Sequence, residues 1–203
     1  MQTIYTVGHS NHTPDTFLAL LKRHEITAIA DVRSVPYSRF VPQFNKDNFS
    51  ARLQRTGIIY VFLGFQLGAQ PNNHDCYNNG KVDFRRLSQK TDFRDGLTRI
   101  RKDAAQFNLA LLCTEKDPIF CHRMVLICRH LRDSNTVIKH ILEDGELEDN
   151  RDSESRLLKL LHMPQVNLFE TSSQIIEEAY DQQSDKIAHH DTEASQGVEI
   201  AYV

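Results

Sequence analysis

Leu109-Ala-Leu-Leu-Cys113-Thr-Glu115-Lys-Asp-Pro-Ile-Phe-Cys121-His122-Arg123 is the stretch on which the fold turns. Its first five residues, LALLC, form an unbroken apolar run. The run has the length of a strand and none of the alternation of a half-solvated one, so it fits a parallel sheet covered on both faces. Asp117-Pro118 then supplies an N-cap and a proline suited to the first helical position. Met124, Val125, Ile127, Cys128 and Leu131 give the apolar stripe of a helix expected over 118–131. Strand, short loop and helix are the elements of a βαβ unit.

The same alternation extends in both directions. Residues 3–8 (TIYTVG), 26–32 (ITAIADV) and 58–63 (IIYVFL) read as strands before it, and 136–142 (TVIKHIL) as a strand after it. Helices fit between them: one opening at Thr13-Pro14 with Phe17, Leu18, Leu20 and Leu21 on its stripe, then 46–55 stopped by Gly57, 83–89, 92–107 and 153–161. Strands separated by helices imply right-handed crossovers and a parallel sheet. The expected fold is therefore α/β, a three-layer, mostly parallel sheet of about five strands with helices on both faces, plus a C-terminal helical extension. Residues 1–162 are expected to form the α/β domain, 163–188 an extension with a docking helix, and 189–203 a flexible tail. Residues 64–81, rich in Gly, Asn and Gln, read as one long loop.

The 203 residues suffice for a core without disulfides or metal. With 24 basic and 27 acidic side chains the formal charge is −3, which gives no global attraction to nucleic acid. No apolar run approaches the ~20 residues of a membrane span, so no membrane partner is expected. The opening MQTIYTVGHS has neither a basic n-region nor an apolar core, which leads to an expectation of a cytoplasmic protein with free thiols at Cys76, Cys113, Cys121 and Cys128.

Ligands of open α/β sheets bind beyond the carboxyl ends of the strands. The residues there are His9, Ser10 and Asn11 after the first strand, Asp31, Arg33, Ser34, Tyr37 and Arg39 after the second, Gly64, Gln66 and Gly68 after the third, and Cys113, Thr114, Glu115, Lys116, Cys121, His122 and Arg123 after the strand 109–113. A helix start and several guanidinium groups suit an anion, and a thiol beside them gains nucleophilicity. Cys113, at a strand end, is the expected nucleophile. His122 or Glu115 is the expected base, with His9, Ser10, Asn11, Arg33, Tyr37, Arg39 and Arg123 on the substrate. Cys121 shares a helical stripe with Val125 and Cys128 and fits packing as well. Zinc on Cys113, Cys121, His122 and His9 is conceivable, but the spacing is not that of a zinc knuckle. Neither a metal nor another cofactor is expected from the sequence.

Several of these segments resemble one family. Gly8-His9-Ser10-Asn11, Asp31-Val32-Arg33-Ser34-Val35-Pro36, Ser38-Arg39, Gln43-Phe44-Asn45, Leu63-Gly64, Cys113-x-Glu115-Lys116-Asp117-Pro118-x-x-Cys121-His122-Arg123, Asn167-Leu168-Phe169 and Ala179-Tyr180 are similar to the domain of unknown function 488 family. The chain departs from it at Leu67-Gly68-Ala69-Gln70, where the family pattern has a second Gly followed by Arg. The resemblance implies the α/β fold more than any chemistry. A fainter similarity to rhodanese-like domains rests on Asp31-Val32-Arg33 and on the strand–Cys113 loop–helix with Arg123.

The functional expectation is an enzyme, a cysteine-dependent transferase or hydrolase, acting on a small anionic substrate that is nucleotide-like or phosphate-bearing. A non-catalytic nucleotide or nucleic-acid binding module, with Tyr37 and Phe44 as stacking faces, is the alternative. A metal-dependent hydrolase is the third.

Overall fold

The computed structural model of the chain describes residues 1–166 and 170–189. In order, the elements are β1 (Gln2–Gly8), α1 (Pro14–Arg23), β2 (Ala28–Asp31), α2 (Lys46–Arg55), β3 (Ile59–Phe62), α3 (Gly64–Leu67), β4 (Tyr77–Asn78), β5 (Lys81–Val82), α4 (Phe84–Ser88), α5 (Thr91–Ala104), β6 (Leu109–Cys113), α6 (Arg129–Leu131), β7 (Thr136–Ile141), β8 (Leu147–Asp149), α7 (Asn150–Leu160) and α8 (Ser172–Ile187). Short 3-10 turns lie at Pro42–Phe44, His74–Cys76 and Pro118–Phe120, and a π-helical stretch at Arg123–Cys128.

The fold is α/β with a mostly parallel sheet in the order β3-β2-β6-β1-β7-β8. The sixth strand, β8, is short and runs antiparallel to β7 at the edge. β6 is covered on both faces, as its apolar run requires. Leu109, Leu111 and Cys113 join the layer containing Phe93 and Ile100 of α5, with Leu126 and Ile127. Ala110 and Leu112 join the layer containing Phe17 and Leu21 of α1 and Phe49 and Leu53 of α2. Each fully buried Leu, Ile or Phe contributes roughly 1.5–3 kcal/mol of hydrophobic stabilisation.

The chain leaves β1 toward β2 and leaves β6 toward β7, on opposite sides of the β1–β6 pair. Open α/β sheets bind ligands beyond the carboxyl ends of strands that diverge in this way. Gly8 lies opposite Cys113 there.

Two expectations are corrected. Residues 64–81 are not one structureless loop, because they contain α3 and a β4–β5 hairpin closing over a buried Cys76. The helix expected over 118–131 is broken. The chain is extended at Cys121 (φ −131°, ψ 139°), so a 3-10 turn precedes the break and a π-helical stretch follows it.

α8 packs its Ile175, Ile176, Ala179 and Tyr180 on Ile119, Met124, Val125, Leu157 and Leu158. The docking helix thus sits against the segment that carries Cys121. Asn167-Leu168-Phe169 and the tail from residue 190 lie outside the described residues. Among the described residues, no helix is long and apolar enough to cross a membrane.

Candidate active site

The loop after β6 can lie against the end of β1 because Gly8 has no Cβ. An added Cβ would lie 1.8 Å from the Glu115 carbonyl oxygen. The loop after β6 therefore folds directly over the end of β1, with the His9 N–H donating to Cys113 O at 3.0 Å and the Ser10 N–H to Thr114 O at 2.8 Å.

Four side chains meet under that loop. Cys113 Sγ and Cys121 Sγ both lie within hydrogen-bond distance of the same carboxylate oxygen, Glu115 Oε2, at 3.0 and 2.9 Å. Cys113 Sγ is also 3.6 Å from His122 Nδ1. The other ring nitrogen, Nε2, lies 3.1 Å from the Val32 carbonyl, which accepts its proton and leaves Nδ1 facing the sulfur. Both cysteines and His122 are buried, whereas Glu115 is exposed.

Electrostatics divide the two thiols. Burial and the neighbouring Cys121 and Glu115 push Cys113 well up. Burial alone would do the same to Cys121, but the Cys113 thiol, Arg123 and His122 hold it well below the ordinary thiol value. The Arg123 backbone N–H, at the start of the π-helical stretch, points at Cys121 Sγ at 3.4 Å. Glu115 is raised by burial and by Cys121. Burial alone would lower His122, but Cys121 and Glu115 outweigh it and raise it.

Arg123 is fully buried beneath the loop. It donates to Glu115 O at 2.5 Å, to Lys116 O at 3.0 Å and to Thr6 Oγ1 at 3.3 Å. The Thr6 hydroxyl bonds His140 Nδ1 at 2.7 Å, and His140 Nε2 bonds Asn150 Oδ1 at 3.1 Å. Sequence placed Arg123 on the substrate. The structure makes it a brace for the Glu115 loop and a positive charge under the sulfurs.

Arg33 is likewise engaged. Asp31 takes it in a two-pronged pair at 2.9 and 2.6 Å, and Phe44 O accepts at 3.0 Å. Its Nη1 donates to His9 Nε2 at 3.1 Å, while His9 Nδ1 bonds Ser10 O. Burial and Arg33 press the His9 imidazole down to about 4, so His9 is a neutral positioning group. Its ring stacks on Phe44 at 4.4 Å. Phe44 is wholly buried and offers no stacking face for a base.

The remaining candidates are more open. Ser10 and Asn11 follow β1, and Ser10 Oγ reaches Asn11 Oδ1 at 3.4 Å. Tyr37 and Arg39 are exposed on the loop after β2. Tyr37 bonds Asp47, and Arg39 lies over the Phe40 ring at 4.7 Å.

The helix start expected to hold an external anion is filled from within. Asp117 caps it by accepting from Ile119 N at 3.1 Å, and Arg156 grips the same carboxylate at 3.0 Å through each of two nitrogens. Thr6 and His140 support the site although the sequence did not single them out, and Cys121, which fitted packing as well in the sequence, stands beside Cys113 on Glu115. Only the nearness of Cys121 to His122 offered a signal, and its helical-stripe reading masked it.

Comparison with known proteins adds one match. Residues 13–129 match the family described as "Domain of unknown function DUF488". No curated protein and no solved structure matches the chain. The matched span contains Asp31, Arg33, Cys113, Glu115, Cys121, His122 and Arg123.

Proposed function

The chain belongs to the DUF488 family, whose description assigns no chemistry, and we propose from the site itself that it is an enzyme, a cysteine-dependent transferase or hydrolase acting on an anionic, phosphate-bearing or nucleotide-like substrate. One observation carries this reading: two thiols share a single carboxylate oxygen beside an imidazole, at the strand ends where α/β sheets bind ligands. A purely structural cysteine has no use for a carboxylate and a histidine at hydrogen-bond distance.

In this reading a sulfur of the Cys113–Cys121 pair attacks the electrophilic atom of the substrate. Its proton passes to Glu115 or His122, and the leaving group departs with the electrons of the broken bond. Water or a second acceptor then releases the group held on sulfur. Arg33 and Arg123 are occupied by the protein, so they favour negative charge electrostatically. Half-buried Ser10 and exposed Asn11, Tyr37 and Arg39 are the groups left to touch the substrate. The anionic substrate class rests on these charges and on Arg39.

A mass-spectrometric screen of nucleotides and sugar phosphates tests the proposal. The expected result is turnover of at least one member, abolished in Cys113→Ser or Cys121→Ser. Saturable binding of a nucleotide without turnover, unchanged in both variants, would instead establish the binding-module reading.

A further inference from the structure

We propose that Cys113 Sγ, Cys121 Sγ and His122 Nδ1 ligate a thiophilic divalent metal ion of the zinc class, with the Glu115 carboxylate at the fourth position. The assignment does not depend on the enzymatic reading, because it rests on how three side chains are placed; with the ion bound both sulfurs are ligands, so the free thiols of that reading belong to the metal-free protein.

The three ligand atoms all lie within 4.8 Å of one another. Sulfur and nitrogen bound to one tetrahedral zinc, at about 2.3 and 2.0–2.1 Å, are separated by about 3.5 Å. The Cys113 Sγ–His122 Nδ1 distance is 3.6 Å. A bound carboxylate oxygen would sit about 3.5 Å from each sulfur. Glu115 Oε2 is at 3.0 and 2.9 Å from the sulfurs but is not among the three mutually close ligand atoms, so its side chain has to swing toward His122 Nδ1 to complete the set.

The surroundings suit a ligand set. A metal-bound histidine usually donates its second nitrogen to a carbonyl or carboxylate, which fixes its tautomer. His122 does so to the Val32 carbonyl. The Arg123 N–H on Cys121 Sγ gives the same support to a thiolate. Two thiolates and a carboxylate would be a heavy buried negative charge. A divalent ion and the buried Arg123 guanidinium balance it.

Two sulfurs and an imidazole nitrogen select zinc-like ions over magnesium or calcium. His9, a fourth ligand in the sequence reading, is excluded because Arg33 and Ser10 occupy its two nitrogens. Glu115 takes its place. As the exposed member of the set, it can give way to a substrate or to water, the open position that catalytic zinc requires.

Cobalt(II) titration of chelator-stripped protein tests the assignment. The expected result is one ion per chain with sulfur-to-cobalt charge-transfer absorption, reversed by zinc. Cys113→Ser and Cys121→Ser should each bind at least about tenfold more weakly. Cys76→Ala should leave the spectrum unchanged. If the serine variants fail to fold, the wild type still decides, because zinc should slow iodoacetamide labelling of Cys113 and Cys121 but not of Cys76 and Cys128. Absence of charge-transfer absorption at stoichiometric cobalt, or equal labelling of all four cysteines with and without zinc, overturns it. Metal binding without any turnover would sink the enzymatic reading and leave this one standing.

Discussion

Gly8 and Arg123 are the two positions where a single change reaches the site through the backbone. A Gly8→Ala methyl meets the Glu115 carbonyl, which belongs to the chain and cannot rotate away. The expected cost is roughly 2 kcal/mol or more in urea unfolding, with Glu115 displaced from the sulfurs. Arg123→Met strands the carbonyls of Glu115 and Lys116 without donors. A loss of about 3 kcal/mol is expected, measured in the same way. Arg123→Lys should restore little, because one ammonium cannot serve three acceptors spread over a planar fork. A lysine variant as stable as the wild type would show that the brace is not needed.

Between β6 and α6 the chain is a 3-10 turn, an extended residue and a π-helical stretch. The sequence made the strand legible, since LALLC has no polar position to place in water. It also made Asp117-Pro118 legible as a cap. It did not show the break at Cys121, because Cys121, Val125 and Cys128 keep a helical spacing whether or not the helix is continuous. What breaks it is a tertiary arrangement, with Cys121 on Glu115 and Arg123 folded back under the loop. The same limit hid the true state of Arg123, which read as a substrate-binding cation until its partners became visible. The long 64–81 segment concealed its hairpin because its two strands have only two residues each. Asp117 offers a test at this level. Burial would raise its carboxyl, but Arg156 and the Ile119 N–H hold it below the usual range. Asp117→Ala should cost about 1–2 kcal/mol through the lost cap and ion pair. Asp117→Asn, which keeps the cap, should lose less; equal losses in denaturant unfolding would assign the whole effect to the ion pair.

The molecule carries one polar thread through its interior, from Arg123 through Thr6, His140 and Asn150 to Glu154 and Tyr180. Burial and Arg123 press the His140 imidazole down to about 4, Arg156 adds to this, and Asn150 and Glu148 oppose it. The unfolded chain, with His near 6.5, then binds the proton that the folded chain refuses. Stability from this group is complete above pH 6.5 and falls by about 1.4 kcal/mol per unit as pH drops toward 4. His140→Gln should flatten that part of the stability profile, and a variant as steep as the wild type would remove His140 as the cause. The thiol cluster lies at the carboxyl ends of the neighbouring strands β1 and β6; strand–helix alternation pointed to strand ends but not to this pair, because it does not fix the strand order. Nor did it show that Cys121 works beside Cys113. The central claim, that these two thiols and Glu115 form a working cluster, is tested most directly by mapping iodoacetamide labelling in chelator-treated folded protein. All four cysteines are buried, so labelling through global opening would strike them alike. Cys121, the thiol held low, should react at least about tenfold faster than Cys76 and Cys128, with Cys113 slower than Cys121; four equal rates would contradict the claim.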